Sequence, residues 1–165
     1  LVDDGLVIRL EFQYDDNMKN LMTHIALLRN SYQHWLGRPL MPADIDDQAA
    51  VAWLDTASFG LVSHGIEADP VFNYANRTAL QLFEMSWAQF TQLPSRLSAG
   101  PVEREERARL LARVARDGYI DDYSGIRIAA SGRRFMIRNA TVWNLLDEQG
   151  AYYGQAALIP LGTML

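Results

Sequence analysis

Along 135–143 the side chains alternate, so that Phe135, Ile137, Asn139, Thr141 and Trp143 share one face of an extended strand while Arg134, Met136, Arg138, Ala140 and Val142 share the other. The first face sets two hydrogen-bonding side chains among aromatic ones, which is the chemistry that orients a small molecule against an apolar wall. Asn139 and Thr141 are its polar handles, and Phe135 and Trp143 its walls. The competing reading is a filled core, with the Asn and Thr side chains bonded to backbone.

Other chemistry-bearing residues are less organised. His24, His34 and His64 are the only histidines, and His64, beside Gly65, reads as a strand-end or turn residue rather than a metal ligand. Asp44, Asp46 and Asp47 gather carboxylates, but no glycine or distal Glu follows at calcium-loop spacing, so helix capping is the better reading. Asp121 and Asp122 could supply a general base, yet no partner with a defined role accompanies them. The chain has no nucleophile elbow, phosphate-binding glycine loop or zinc helix motif. It has no cysteine, which excludes disulfides, thiolate metal sites and cysteine nucleophiles. No catalytic constellation and no metal site emerge.

Length and charge narrow the field further. The 165 residues fit one domain with a real core. A net charge of −5 argues against direct nucleic-acid binding, which rests on neutralising phosphates with Lys and Arg. Arginines cluster at Arg104, Arg107, Arg109, Arg113 and Arg116, but Glu103, Glu105 and Glu106 are interleaved, as on a solvated helix face. No stretch resembles a signal peptide or approaches the ~20 apolar residues of a membrane span, so a cytoplasmic location without membrane contact is expected.

The elements that must position these residues are legible from periodicity. Leu6, Ile8, Leu10, Phe12 and Tyr14 point one way, with Arg9, Glu11 and Gln13 on the other face, and predict a strand. The period lengthens from Met18, where Leu21, Met22, Ile25, Leu28, Tyr32, Trp35 and Leu36 form a helical apolar stripe ending at Gly37. A second helix, capped by Asp44 or a neighbouring Asp, carries Ala49, Ala52, Trp53 and Ala57; a strand over 59–65 follows. Val71 to Tyr74 is strand-forming, Asn76 can cap a helix over 77–84, and Ser86 opens another short helix that Pro94 ends. Glu103 to Asp117 is helical, and three strands joined by hairpins complete the chain.

The segments FNYANRTALQLFEMSWAQFTQLPSRLSA, GYIDDYSGIRIAASGRRF and ATVWNLLDEQG resemble the MEKHLA domain, a PAS-like family of plant homeodomain–leucine zipper regulators and free-standing bacterial proteins. The resemblance covers roughly 24–159. It implies an α+β fold: a five-stranded antiparallel sheet with short central helices and an N-terminal helical cap. The expected division is a strand-like extension over 1–17 outside the family region, of upstream or vector-encoded origin, then a helical cap over 18–57 and a PAS-like core over 58–165. In such folds the helices and the concave sheet face enclose a small cavity, where Phe135, Asn139, Thr141 and Trp143 would meet a ligand. The opposite face, with Met136, Ala140 and Val142, would be covered by the first long helix, within one chain or across a homodimer.

The resemblance implies a bacterial sensory or interaction domain that binds a small molecule or protein partner and signals through its N-terminal helices. Without Cys no flavin adduct can form, and haem is disfavoured because no histidine lies in the Glu103–Asp117 helix, where haem-binding PAS sensors keep their ligand. The cofactor question is otherwise open. The alternative is an enzyme on a cone-shaped α+β fold of the ketosteroid-isomerase type, with a buried Asp or His base; its order of elements differs from the one read here.

Overall fold

Asn76 joins three parts of the chain. Its side-chain oxygen accepts from the backbone N–H of Ala79, capping the helix as expected, and from that of Leu61, while its Nδ2 donates to the carbonyls of Leu54 and Phe59. All four distances lie between 2.8 and 3.0 Å, which uses the full bonding capacity of a buried amide. One residue therefore fixes the end of a helix, the start of a strand and the start of the next helix.

A computed structural model describes residues 4–100 and 103–161, with side chains from residue 16 onward. The order is α1 (Asp4–Leu36), α2 (Asp47–Asp55), β1 (Gly60–His64), β2 (Phe72–Ala75), α3 (Arg77–Phe83), α4 (Trp87–Phe90), a 3-10 turn (Ser95–Ser98), α5 (Arg104–Asp117), β3 (Tyr119–Ile128), β4 (Arg134–Leu146) and β5 (Tyr152–Ile159). The strands form one sheet in the order β2-β1-β5-β4-β3, every neighbouring pair antiparallel. The α+β, PAS-like architecture read from the sequence is the one observed.

Local chemistry sets most boundaries. Asp46 caps α2 by accepting from Ala49 N–H at 2.7 Å, Ser86 caps α4 in a reciprocal pair with Gln89, and α1 stops where Gly37 takes a φ of 69°. One expectation fails at the start of the chain, where residues 6–14 belong to α1 rather than to a strand. A period of two contains a period of four, so the spacing of Leu6, Leu10 and Tyr14 in the sequence suits a helix as well, and extending an existing helix avoids the cost of nucleating one.

The core lies on both sides of the sheet. In front, Phe72, Phe83, Phe90, Val114, Phe135, Ile137, Ala140 and Val142 pack with α3, α4 and α5. Behind, α1 and α2 lay Ile25, Leu28, Tyr32 and Leu54 against Leu61, Tyr74, Trp143 and Leu145. The expected cover by the long helix is present, but through different residues of β4.

The cause is a pair of bulges. Tyr123 pairs with Ala140 and Gly125 with Ile137, so β4 carries an extra residue between those pairs, at Arg138 and Asn139. Asn139 takes a φ of 54°, a left-handed conformation that Asn tolerates better than most side chains. The inserted residue reverses the alternation: Phe135 and Ile137 face forward, as do Ala140 and Val142, whereas Trp143 faces back.

Candidate functional site

Burial on the front face is incomplete. Between the sheet and α5 lies a cavity of about 60 Å³. Its walls are mostly apolar, including Phe72, Phe83, Leu111, Ile137 and Val142, and the buried polar residues among them are Ser63, His64, Ser98, Arg107, Arg127 and Gln155. No Asp or Glu lines it.

Arg107 and Arg127 are 8% and 7% exposed. Arg107 extends from α5 and donates to Ser95 Oγ at 2.7 Å; Arg127 extends from β3, donates to the Tyr123 hydroxyl and to the Ile126 carbonyl, and lies 5.2 Å from the centre of the Tyr123 ring. A guanidinium carries five N–H donors, so these bonds leave most of the capacity unused. Neither forms an ion pair among the described residues. Burial, and then the proximity of Arg127, pushes the Arg107 guanidinium down to about 10. Asp69 acts on Arg107 in the opposite direction from a distance, but its carboxylate is engaged by Arg96 at 3.1 Å.

His64, at the end of β1, is 6% exposed. Its Nδ1 lies 2.9 Å from the Gly65 carbonyl, an acceptor only, so Nδ1 carries the proton and Nε2 presents a lone pair. That Nε2 is buried without a hydrogen-bond partner. Burial lowers the pKa of the ring, the Gly65 bond opposes this, and Arg107 lowers it further, so the imidazole is neutral near pH 7.

Gln155, on β5, links the cavity to the far side. Its Nε2 donates to the Leu111 carbonyl and to Asn144 Oδ1, at 3.2 and 3.1 Å. Asn144 Nδ2 donates to Val114 of α5, while the Asn144 carbonyl accepts from the Trp35 indole of α1 at 2.9 Å. Gly118 completes this junction with a φ of 93°; a Cβ there would meet the Trp35 ring at 2.5 Å. Only glycine fits that close approach.

None of the four residues expected to contact a ligand lines the cavity. Phe135 is on the correct side but packs edge-on against Phe83, with ring centres 5.2 Å apart. Asn139 is exposed in the bulge, and Thr141 and Trp143 fall behind the sheet, where the Trp143 ring meets Tyr32 edge-on at 5.1 Å. The sequence reading also took Arg107 for a surface cation. A usable signal was present: Arg107, Leu111 and Val114, at i, i+4 and i+7, share the apolar face of α5.

A Ser–His contact behind the sheet does not activate a nucleophile. Ser63 donates its only hydroxyl proton to Asn73 Oδ1 at 2.6 Å, so at 2.8 Å from His24 Nε2 the Ser63 oxygen accepts and the imidazole donates. General-base activation needs the reverse. The contact instead pins α1 to β1 and β2. Asp121 and Asp122 are exposed, so the buried acid of the isomerase-type alternative is missing from these positions and that reading is not favoured. Among the described residues no group of three His, Asp or Glu side chains could hold a metal ion, and no helix is long and apolar enough to cross a membrane.

Comparison with known proteins fits this geometry. The family model described as MEKHLA domain matches residues 22–161. The homeobox-leucine zipper protein ATHB-9 of Arabidopsis thaliana is 24% identical over 132 residues, 77% of this chain; the chain spans only 16% of that protein's length. Among solved structures, a PAS domain of a protein from Colwellia psychrerythraea superposes with a TM-score of 0.57 at 14% identity, covering 67% of this chain and 92% of the other. An RNA-binding light-oxygen-voltage receptor gives 0.61 at 15% identity over 77% of this chain and 36% of the other. A mutant of Vivid gives 0.55 at 17% identity over 78% and 94%. At these identities the structural matches establish the fold.

Proposed function

The chain belongs to the MEKHLA domain family, and on that premise we propose that it is a PAS-like sensory module in which a small molecule in the front cavity alters the seating of α1 behind the sheet. The observation that carries this reading is the cavity, where buried polar groups with unused bonding capacity face an otherwise apolar space. A purely structural core would have spent that capacity internally.

The route to α1 is short. Gln155 lines the cavity and bonds Asn144, whose carbonyl receives the Trp35 indole. A ligand that draws the Gln155 amide away from Asn144 disturbs the strand to which α1 is fastened. For that to act as a signal, the ligand must bind one seating of α1 better than the other. The two-state element is the packing of Leu28, Tyr32 and Trp35 on Trp143 and Leu145, not on Ala140 and Val142, which belong to the cavity side.

In this reading a released α1 offers its apolar stripe to a protein partner or to a second copy of the chain. The domain works in the cytoplasm and reaches nucleic acid or membrane only through partners, in keeping with its net charge of −5. Size-exclusion chromatography with light scattering reads the homodimer directly; a monomer at every concentration, with and without ligand, removes it. Native mass spectrometry of freshly purified protein, followed by hydrogen exchange before and after removal of any retained molecule, tests the sensor. Faster exchange over 22–36 in one state is expected; identical exchange ends the reading.

A further inference from the structure

Two guanidinium groups at one small apolar cavity, with no carboxylate beside them, define what the space accepts. We infer that the cavity is a receptor site for a three- or four-carbon hydroxycarboxylate, its carboxylate held by Arg107 and Arg127 and its hydroxyl donating to His64 Nε2. This rests on the reading of the cavity as a ligand site and names the chemistry of that ligand.

Charge supplies the first argument. Buried cations are ordinarily paired, because an isolated charge loses its hydration without recompense. Here both arginines are buried, neither meets a carboxylate among the described residues, and Arg127 acts on Arg107 repulsively. An anion between them removes that repulsion and fills vacant donors in the forked geometry that suits a carboxylate. The hydroxyls of Ser95 and Tyr123 hold the two side chains in place rather than neutralise them.

Shape and size decide among anions. A phosphate needs polar partners around all its oxygens. The other polar groups at the cavity donate within the protein, Ser98 to the Ser95 carbonyl, Ser63 to Asn73 and Gln155 to Leu111 and Asn144, and most of the remaining walls are apolar, among them Phe72, Phe83, Ile137 and Val142. A carboxylate concentrates its charge at one end and leaves a hydrocarbon part for those walls. The volume of about 60 Å³ gives room for roughly four to six water-sized groups at ~10–15 Å³ each. A three-carbon hydroxy acid has about six non-hydrogen atoms and a four-carbon one about seven, so a short acid sits at or just above the upper end of that range, while a fatty acid or a nucleotide lies far beyond it.

His64 adds the third requirement. Its proton is committed to the Gly65 carbonyl, which leaves Nε2 able only to accept; the neighbouring Gln155 amide donates to Leu111 and Asn144 instead, so Nε2 has no donor. A ligand hydroxyl completes the bond. A carboxylate alone would not.

The test is isothermal titration calorimetry of the whole chain with lactate, 3-hydroxybutyrate, butyrate, butyramide and inorganic phosphate. We expect a hydroxy acid to bind best, with butyramide and phosphate at least about tenfold weaker, the ratio that charge-assisted hydrogen bonds supply. Arg107→Gln and Arg127→Gln should each weaken the hydroxy acid by at least about tenfold. His64→Phe should erase the advantage of 3-hydroxybutyrate over butyrate while leaving butyrate binding within about threefold. The ligand series on the unmodified chain needs no variant, so a misfolded mutant cannot obscure the result. Phosphate or the amide binding as well as the acids overturns the assignment, as does an added hydroxyl that gains nothing. If no probe binds while native mass spectrometry finds a retained molecule of other chemistry, the hydroxycarboxylate falls and the ligand site stands. If no probe binds and no molecule is retained, both fall.

Discussion

Both faces of the sheet bury aromatic and aliphatic side chains, but they treat polar groups differently. Behind the sheet, Ser31 bonds Leu146, Trp35 bonds Asn144, and His24 donates to Ser63, while the buried indole N–H of Trp143 has no partner. In front, Arg107 and Arg127 are buried beside a cavity without an ion pair among the described residues, and His64 Nε2 is buried there without a partner. The difference between the faces is therefore one of charge: among the described residues, two buried cations without a carboxylate partner lie in front, and none lies behind. Binding sites commonly hold such groups, because side chains aimed at a ligand are poorly served by their own chain.

The contrast breaks first at Trp143, which is 0% exposed behind the sheet. Trp143→Ala should lower stability by roughly 3–5 kcal/mol. Denaturant unfolding reads the value, and a loss below about 1 kcal/mol would mean that the back face is not the packed one.

Gly118→Ala acts where the same face meets α5. The added methyl meets Trp35 and an alanine is strained at a φ of 93°, so a loss of about 2–3 kcal/mol is expected, together with faster hydrogen exchange in the last turns of α1. A neutral substitution would show that α1 yields without cost at this junction.

The His24 link makes the back face sensitive to acid. Burial pushes the His24 imidazole from its ordinary 6.5 down to about 4. Between those values the unfolded chain binds the proton and the folded one does not, so stability rises with pH in that window; it is full above about 6.5 and lost as pH falls towards 4. Going from pH 7 to pH 5 should remove about 2 kcal/mol through this group. His64 shifts in the same direction and adds to the slope, so His24→Asn should reduce the loss rather than abolish it. Denaturation midpoints at the two pH values measure the difference, and an unchanged slope in the variant would exclude His24 as a source.

The smallest effect distinguishes the faces most sharply. Arg107→Met replaces a buried cation lacking an ion pair with an apolar chain of similar length, and stability should stay within about 1 kcal/mol of the parent or rise. A loss of ~3 kcal/mol or more would make Arg107 a structural group and leave the front face no different in kind from the back.

Residues whose role is set by near neighbours were legible in advance. Asn76 follows strand-forming residues and precedes an apolar stripe, so its cap was evident, as were the α1 stripe from Leu21 to Leu36 and the hairpins that join the last three strands. Leu6 to Tyr14 misled because alternation also satisfies helical spacing, and continuity with the following helix decided the outcome. The site was less legible. An exposed bulge at Asn139 reassigned Trp143 and Thr141, and a single arginine among five turned inward.

What the sequence determined by itself was therefore local: the periods, caps and turns that fix the helices and hairpins, and through the family pattern the fold they make. Which side of β4 meets the cavity was settled only by pairing across the sheet, because one inserted residue reverses every side chain beyond it and its position depends on a strand distant in sequence. That Arg107 shares a face of α5 with Leu111 and Val114 is written in its spacing, but that this face meets a cavity was settled by packing of the helix against β3, β4 and the Ser95 turn, contacts that no window of sequence contains. Local bonding is written along the chain; the direction a side chain faces is a property of the assembled layers.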